Sequence, residues 1–348
     1  MTAAKASFAP YIPVRQDWLD RRREEILEPD LPIVDPHHHF WDKPDWRYLL
    51  PDFLADASSG HNIVSTVYLQ ARSMHRAGGP EELRPVGETE FVNGIAAMSE
   101  SGAYGKTKVC EAIIGYADLR LGAAVSRVLE AHQRITDRFR GIRHISAWDD
   151  FHGLRNPAFE MPPGLMGTKG FREGFAMLQP MGLSFDAWLY HPQIDDLTSL
   201  ARKFPTTPIV INHAGGPLGI GPYAGRRDEV FKTWSASMRE LAECPNVHVK
   251  LGGLGMKLNG FGFEARPEPP SSDDLVAAWK PYIETCIEAF GPKRAMFESN
   301  FPVDKGSYSY AVFWNACKKL TKGMNAADRK DLFSGNAARF YRLDLPAD

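Results

Sequence analysis

Short apolar runs rich in β-branched residues recur eight times along this chain, interleaved with amphipathic stretches, and that alternation restricts the fold more than any other feature. The runs begin at Ile33 and continue at 63–70, 109–116, 139–145, 183–189, 208–213, 247–251 and 294–300. Helical periodicity falls at 88–100, 123–134, 171–181, 195–203, 228–243 and 274–290, with 311–320 and 336–343 closing the chain. Strands separated by helices pair in parallel through helical crossovers, and eight such units close into a barrel. A doubly wound open sheet would place a glycine-rich phosphate loop after the first strand, where this chain has histidines instead. The expected fold class is α/β, a (β/α)8 TIM barrel forming a single domain over 31–348 behind an amino-terminal arm, 1–30.

Composition narrows the function classes. A hydrophobic fraction of 43% and a charged fraction of 24% are those of a soluble globular protein. A formal net charge of -2 gives no electrostatic case for nucleic acid or an anionic membrane, which leaves a small-molecule substrate. No stretch approaches the roughly 20 apolar residues of a membrane span, and the first 30 residues lack the apolar core of a signal peptide. Four scattered cysteines, Cys110, Cys244, Cys286 and Cys317, lack metal or redox spacing, so a cytoplasmic protein with reduced thiols is expected.

Chemistry concentrates at the strand ends. The segment Asp35-Pro36-His37-His38-His39-Phe40-Trp41 closes the first strand. Strand periodicity puts His37 and His39 on one face, with Asp35 beside them and His38 opposite. Paired imidazoles there hold a divalent metal or polarise a carbonyl, both of which need neutral, oriented rings. His213 ends the sixth strand in Ile211-Asn212-His213-Ala214-Gly215. Glu298 and Asn300 share a face of the eighth strand, with Asp304 just beyond, and an inward Glu298 needs a buried partner, for which Lys250 on the seventh strand is the candidate. Arg143 on the fourth strand and Arg72 after the second suit a carboxylate-bearing substrate, because the guanidinium fork matches carboxylate geometry. Tyr190 and His191, after the fifth strand, are further candidates for the pocket wall.

These motifs resemble the amidohydrolase superfamily, in particular its family 2 group of TIM-barrel hydrolases that includes 2-pyrone-4,6-dicarboxylate lactonase and sugar-acid lactonases. The carriers are Asp35-x-His37-x-His39, Gly141-Ile142-Arg143-His144, Ile211-Asn212-His213-Ala214-Gly215, Val249-Lys250-Leu251 and the closing Gly335-Asn336-Ala337-Ala338-Arg339-Phe340-Tyr341. The family's eighth strand ends in a Gly-Ser-Asp-Trp-Pro type sequence, whereas this chain has Glu298-Ser299-Asn300-Phe301-Pro302. An amide cannot take a proton from water and is a weaker metal ligand than a carboxylate. The base then passes to Asp304, Glu298 or a histidine.

The resemblance implies a hydrolase that opens a lactone or related C–O or C–N bond of a small carboxylated molecule. His37, His39 and His213 polarise the carbonyl, either through one divalent metal, zinc for a three-imidazole site, or without metal. Arg143 anchors the anion and Asn300 orients water. A metal-dependent decarboxylase of an aromatic or unsaturated acid and a non-catalytic binding protein are the alternatives. A homodimer is the oligomeric state that the resemblance implies.

Overall fold

The computed structural model describes residues 11–43, 46–155 and 161–345. The first ten residues of the expected arm lie outside them. Eight strands pair in parallel in sequence order: β1 (Ile33–His38), β2 (Ile63–Leu69), β3 (Lys108–Gly115), β4 (Phe139–Ile145), β5 (Ser184–Trp188), β6 (Ile209–Ile211), β7 (Val247–Leu251) and β8 (Ala295–Phe297). The sheet closes on itself where β1 meets β8: the His39 N–H donates to Phe301 O and the Asn300 N–H to His37 O, both at 2.9 Å. This is the expected barrel.

A helix follows every strand: α1 (Leu50–Ala57), α2 (Val86–Glu100), α3 (Ser126–Gln133), α4 (Lys169–Phe175), α5 (Ile194–Lys203), α6 (Arg227–Ala242), α7 (Ser272–Phe290) and α8 (Tyr310–Leu320). Sequence periodicity missed α1, whose eight residues carry Pro51 in the first turn and bury Leu50, Phe53 and Ala57. Pro at the first turn costs no hydrogen bond, since that N–H has no helical partner anyway. The pattern at 171–181 splits into α4 and a separate 3₁₀ turn, Gln179–Met181.

The barrel interior holds a small apolar set, including Val34, Val67, Leu69, Ile114, Val210 and Met296, packed with Tyr341 and Leu343, together with the buried charges Lys250, Asp186 and Glu298. A much larger cluster fills the layer between strands and helices. The arm packs along the barrel: Trp18 donates its indole N–H to Arg266 O and Pro267 O at 3.2 and 3.1 Å, and Lys318 holds the carbonyls of Leu27 and Glu28 at 2.7 and 2.8 Å. All four cysteines are buried and free. No helix among the described residues is long and apolar enough to cross a membrane.

Candidate active site

The carboxyl ends of the strands surround a cavity of about 740 Å³, counting its open mouth. Its polar lining is His39 after β1, Arg143 on β4, His213 after β6 and Asn300 after β8. His213 and Asn300 both have a φ of 56°. A non-glycine residue in that region is uncommon and is held there by its surroundings, often where a side chain must be aimed. Space for the His213 ring comes from Gly253 after β7, where an added Cβ would lie 2.2 Å from His213 Nδ1.

Glu298 organises the histidines. It is fully buried, and its Oε1 accepts from both the backbone N–H and Nδ1 of His213 at 2.7 Å. Its Oε2 lies against His37 Nδ1 in a close polar contact. His39 donates its Nδ1–H to Leu69 O at 2.8 Å. His37 Nε2 accepts from Arg143 Nη1 at 3.1 Å, which puts the His37 proton on Nδ1, facing Glu298. All three rings therefore carry Nδ1–H and turn an Nε2 lone pair the other way, as metal-binding or base histidines do.

Electrostatics agree. Burial, the largest influence, together with nearby cations, holds the pKa of His37 and His39 well below the usual imidazole value. His213 is also lowered by burial, against the opposing pull of Glu298. Burial works to raise Glu298, but His213 and Lys250 outweigh it and keep the carboxylate ionised below the ordinary range. Neutral imidazoles around one anion are the state that both metal binding and general-base chemistry require.

The remaining candidates fall in different places. Arg143 is 5% exposed and also donates to the Gln70 carbonyl. Tyr190 lines the cavity, its hydroxyl donating to Leu154 O at 2.8 Å. Lys250 does not line it: the ammonium is buried in the barrel, 2.8 Å from Asp186 and 4.0 Å from Glu298, so its principal partner is Asp186. Asp304 lies behind Asn300, accepting from Asn300 Nδ2 at 2.9 Å, from Gly255 N–H at 3.0 Å and from the Tyr308 hydroxyl. Burial raises its pKa to about 7.

Contrary to expectation, neither Arg72 nor His191 lines this cavity. Arg72 itself takes a left-handed φ of 57°, and its guanidinium lies over the Tyr116 ring in a separate surface cleft. His191 starts the 3₁₀ turn after β5, faces Tyr223, and accepts the Leu218 N–H at 3.3 Å. Asp35 also departs from strand periodicity. A register shift between Asp35 and His38 turns its carboxylate away from the imidazoles to Ser299 and to Tyr310 of α8. Sequence reasoning missed Asp186, for which a carboxylate inside the apolar run Leu183-Ser184-Phe185-Asp186-Ala187-Trp188 was a usable signal. It also missed Tyr11, an arm residue on the cavity wall, for which no local signal exists.

The family model described as amidohydrolase matches residues 34–343. The chain is 36% identical over 336 residues to the uncharacterized protein y4mH of Sinorhizobium fredii, covering 90% of this chain and 99% of that protein. It is 29% identical over 333 residues to the L-fucono-1,5-lactonase of Burkholderia ambifaria, covering 90% and 97%. Among solved structures, a zinc-bound amidohydrolase from Burkholderia multivorans superposes with a TM-score of 0.68 at 25% identity, covering 90% of this chain and 99% of that one. With its barrel, its strand-end histidines and this match along nearly its whole length, the chain belongs to the amidohydrolase family.

Proposed function

We propose that this hydrolase opens a lactone by water attack at the ring carbonyl, with His213 as general base. One observation carries the reading: the cavity presents His39, Arg143 and His213 together, with no Asp or Glu among its described lining residues. The carboxylates stand one layer back, where Glu298 orients His213 and balances the imidazolium that forms. His213 Nε2 takes the proton from water as oxygen bonds to the carbonyl carbon. The ring C–O bond then breaks, and the proton passes to the departing alkoxide, leaving a hydroxy acid. Arg143 stabilises the oxyanion between these steps. The likeness to lactonases supports the bond type.

A divalent cation fits the same histidines. The Nε2 atoms of His37 and His39 are 3.2 Å apart, close to the roughly 3.3 Å that two 2.0–2.1 Å bonds subtend at a tetrahedral angle. His39 Nδ1 has its acceptor in Leu69 O, and His37 Nδ1 faces Glu298 Oε2. His37 and His39 would hold the ion; a third bond from His213 Nε2 would occupy the lone pair that the proton transfer uses, so His213 serves as ligand or as base but not both at once. His37, His213 and Glu298 also bring ligand atoms within 4.8 Å of one another, but both Glu298 oxygens already face ring Nδ1 atoms. When bound, a cation such as zinc supplies Lewis-acid polarisation of the carbonyl. We place the enzyme in the cytoplasm, which the buried free thiols support.

The test is hydrolysis of five- and six-membered lactones, followed by proton release, for wild type and His213→Gln. Ring opening that falls at least about 100-fold in the variant fits a general base. Unchanged turnover removes His213 from that role.

A further inference from the structure

Resting on the lactone reading above, the geometry points to a substrate whose body is flat and apolar, an aromatic-fused lactone in place of a polyhydroxylated sugar ring. The polar groups of the cavity are gathered at one end, and most of their hydrogen-bonding atoms are already engaged. His39 Nδ1 is held by Leu69 O, His213 Nδ1 by Glu298, and Asn300 Nδ2 by Asp304. Arg143 gives Nη1 to His37 and Nη2 to Gln70 and keeps Nε without a partner. What stays free there suits one carbonyl and one water.

The rest of the wall is aromatic and aliphatic. Tyr11 and Trp41 form one ring pair, with centroids 5.8 Å apart, and Trp188 and Tyr190 form a second at the same separation. Ile145, Met256, Leu258 and Val303 supply aliphatic surface. The Tyr190 hydroxyl is already bonded to Leu154 O, so the second pair offers ring faces and edges more than donors. The Trp41 indole N–H, buried without a partner, and the Tyr11 hydroxyl, close enough to Arg143 to feel its charge, are the polar atoms that this wall keeps. A sugar lactone brings several hydroxyls, each of which would leave water for a wall that cannot replace its hydrogen bonds. A flat apolar ring loses no hydrogen bonds and packs against aromatic surfaces.

Tyr11 lies on the arm, ahead of residue 34 where the family match begins, and reaches the cavity beside Trp41.

Steady-state kinetics on the full chain with dihydrocoumarin and with L-fucono-1,5-lactone test the inference. We expect kcat/KM for dihydrocoumarin to exceed that for the sugar lactone by about 100-fold or more, the scale on which an apolar pocket rejects an added hydroxyl. Tyr11→Ala should raise KM for dihydrocoumarin more than it lowers kcat. A sugar lactone turned over equally well or better overturns the inference. If neither lactone is opened, the hydrolase reading fails, and binding of two hydrolysis-resistant lactams decides the apolar body separately. By tryptophan fluorescence, 3,4-dihydroquinolin-2-one should bind at least about 100-fold tighter than glucono-δ-lactam; equal or weaker binding overturns the inference.

Discussion

A single oxygen of Glu298 accepts two hydrogen bonds from His213, one from its backbone N–H and one from its ring, each 2.7 Å long. Main chain and imidazole are therefore fixed by the same atom, and the ring cannot rotate without breaking the second bond. Glu298→Gln keeps the volume but replaces the anion with an amide that cannot balance a protonated imidazole. Turnover should fall by a factor of about 100 to 10,000, the usual worth of a positioned proton-transfer group. Lactone kinetics beside a far-ultraviolet circular dichroism spectrum check this: a native spectrum with full activity would remove Glu298 from the mechanism.

Arg143 and a metal ion compete for His37 Nε2, since the guanidinium already lies 3.1 Å from that atom. Arg143→Ala should therefore retain more zinc than wild type after both are equilibrated with the ion and desalted, while lactone turnover falls at least tenfold with the loss of the oxyanion's partner. Elemental analysis of the two proteins gives the answer. Equal zinc content would show that the guanidinium does not occupy the metal's place.

Glu88 should matter although it touches no substrate. Its Oε1 accepts from the Tyr68 hydroxyl at 2.8 Å and from the N–H groups of Ala71 and Ser73 at 2.6 and 3.0 Å. Those bonds pin the turn directly after the Leu69 and Gln70 carbonyls that hold His39 and Arg143. Glu88→Ala should cost about 3 kcal/mol or more, because buried donors lose a charged acceptor. Glu88→Gln, which keeps an acceptor, should cost clearly less. Urea unfolding gives the stabilities, and a stability unchanged in Glu88→Ala would contradict the pinning role.

Asp304 should make stability depend on pH. Its folded pKa of about 7 is raised by burial from the ordinary value of 3.8, so the folded state holds a proton that the unfolded state has released. The contribution is full below about pH 4 and is lost as pH rises through about 7, amounting to up to about 4 kcal/mol at about 1.4 kcal/mol per unit. Asp304→Asn should flatten that slope, since an amide stays neutral and Asn300 can turn its own amide to meet it. Urea unfolding of both proteins between pH 4.5 and 8 tests the sign: stability that rises with pH in wild type, by an amount the variant abolishes, would refute it.

The eight strands were legible because each is a short β-branched run between helical patterns, and the sites at strand ends followed from the barrel itself. Legibility stopped where the chain leaves the strand. Arg72 and His191 lie a residue or more past their strands, where a positive φ in one case and a 3₁₀ turn in the other redirect the side chain. Asp35 defeated a period-two argument because the ladder slips between it and His38. Burial of Lys250 is legible from its place in an apolar strand, but its partner Asp186 lies 64 residues away. No local pattern could bring Tyr11 across the chain to Trp41.

The joint between β1 and β8 gives catalysis a mechanical meaning. Seven junctions hold the other neighbouring strands together, while this eighth relies on a few bonds among Asp35, His37, His39 and residues 299–301. His37 belongs to one lip of the joint and Glu298 to the other. If the lips part by an ångström, the helices and most of the ladder survive, but His37 and His39 draw away from Glu298 and His213, and the cluster at the cavity floor comes apart. Turnover is then the molecule's most sensitive gauge of closure, failing at lower urea than the loss of helical signal.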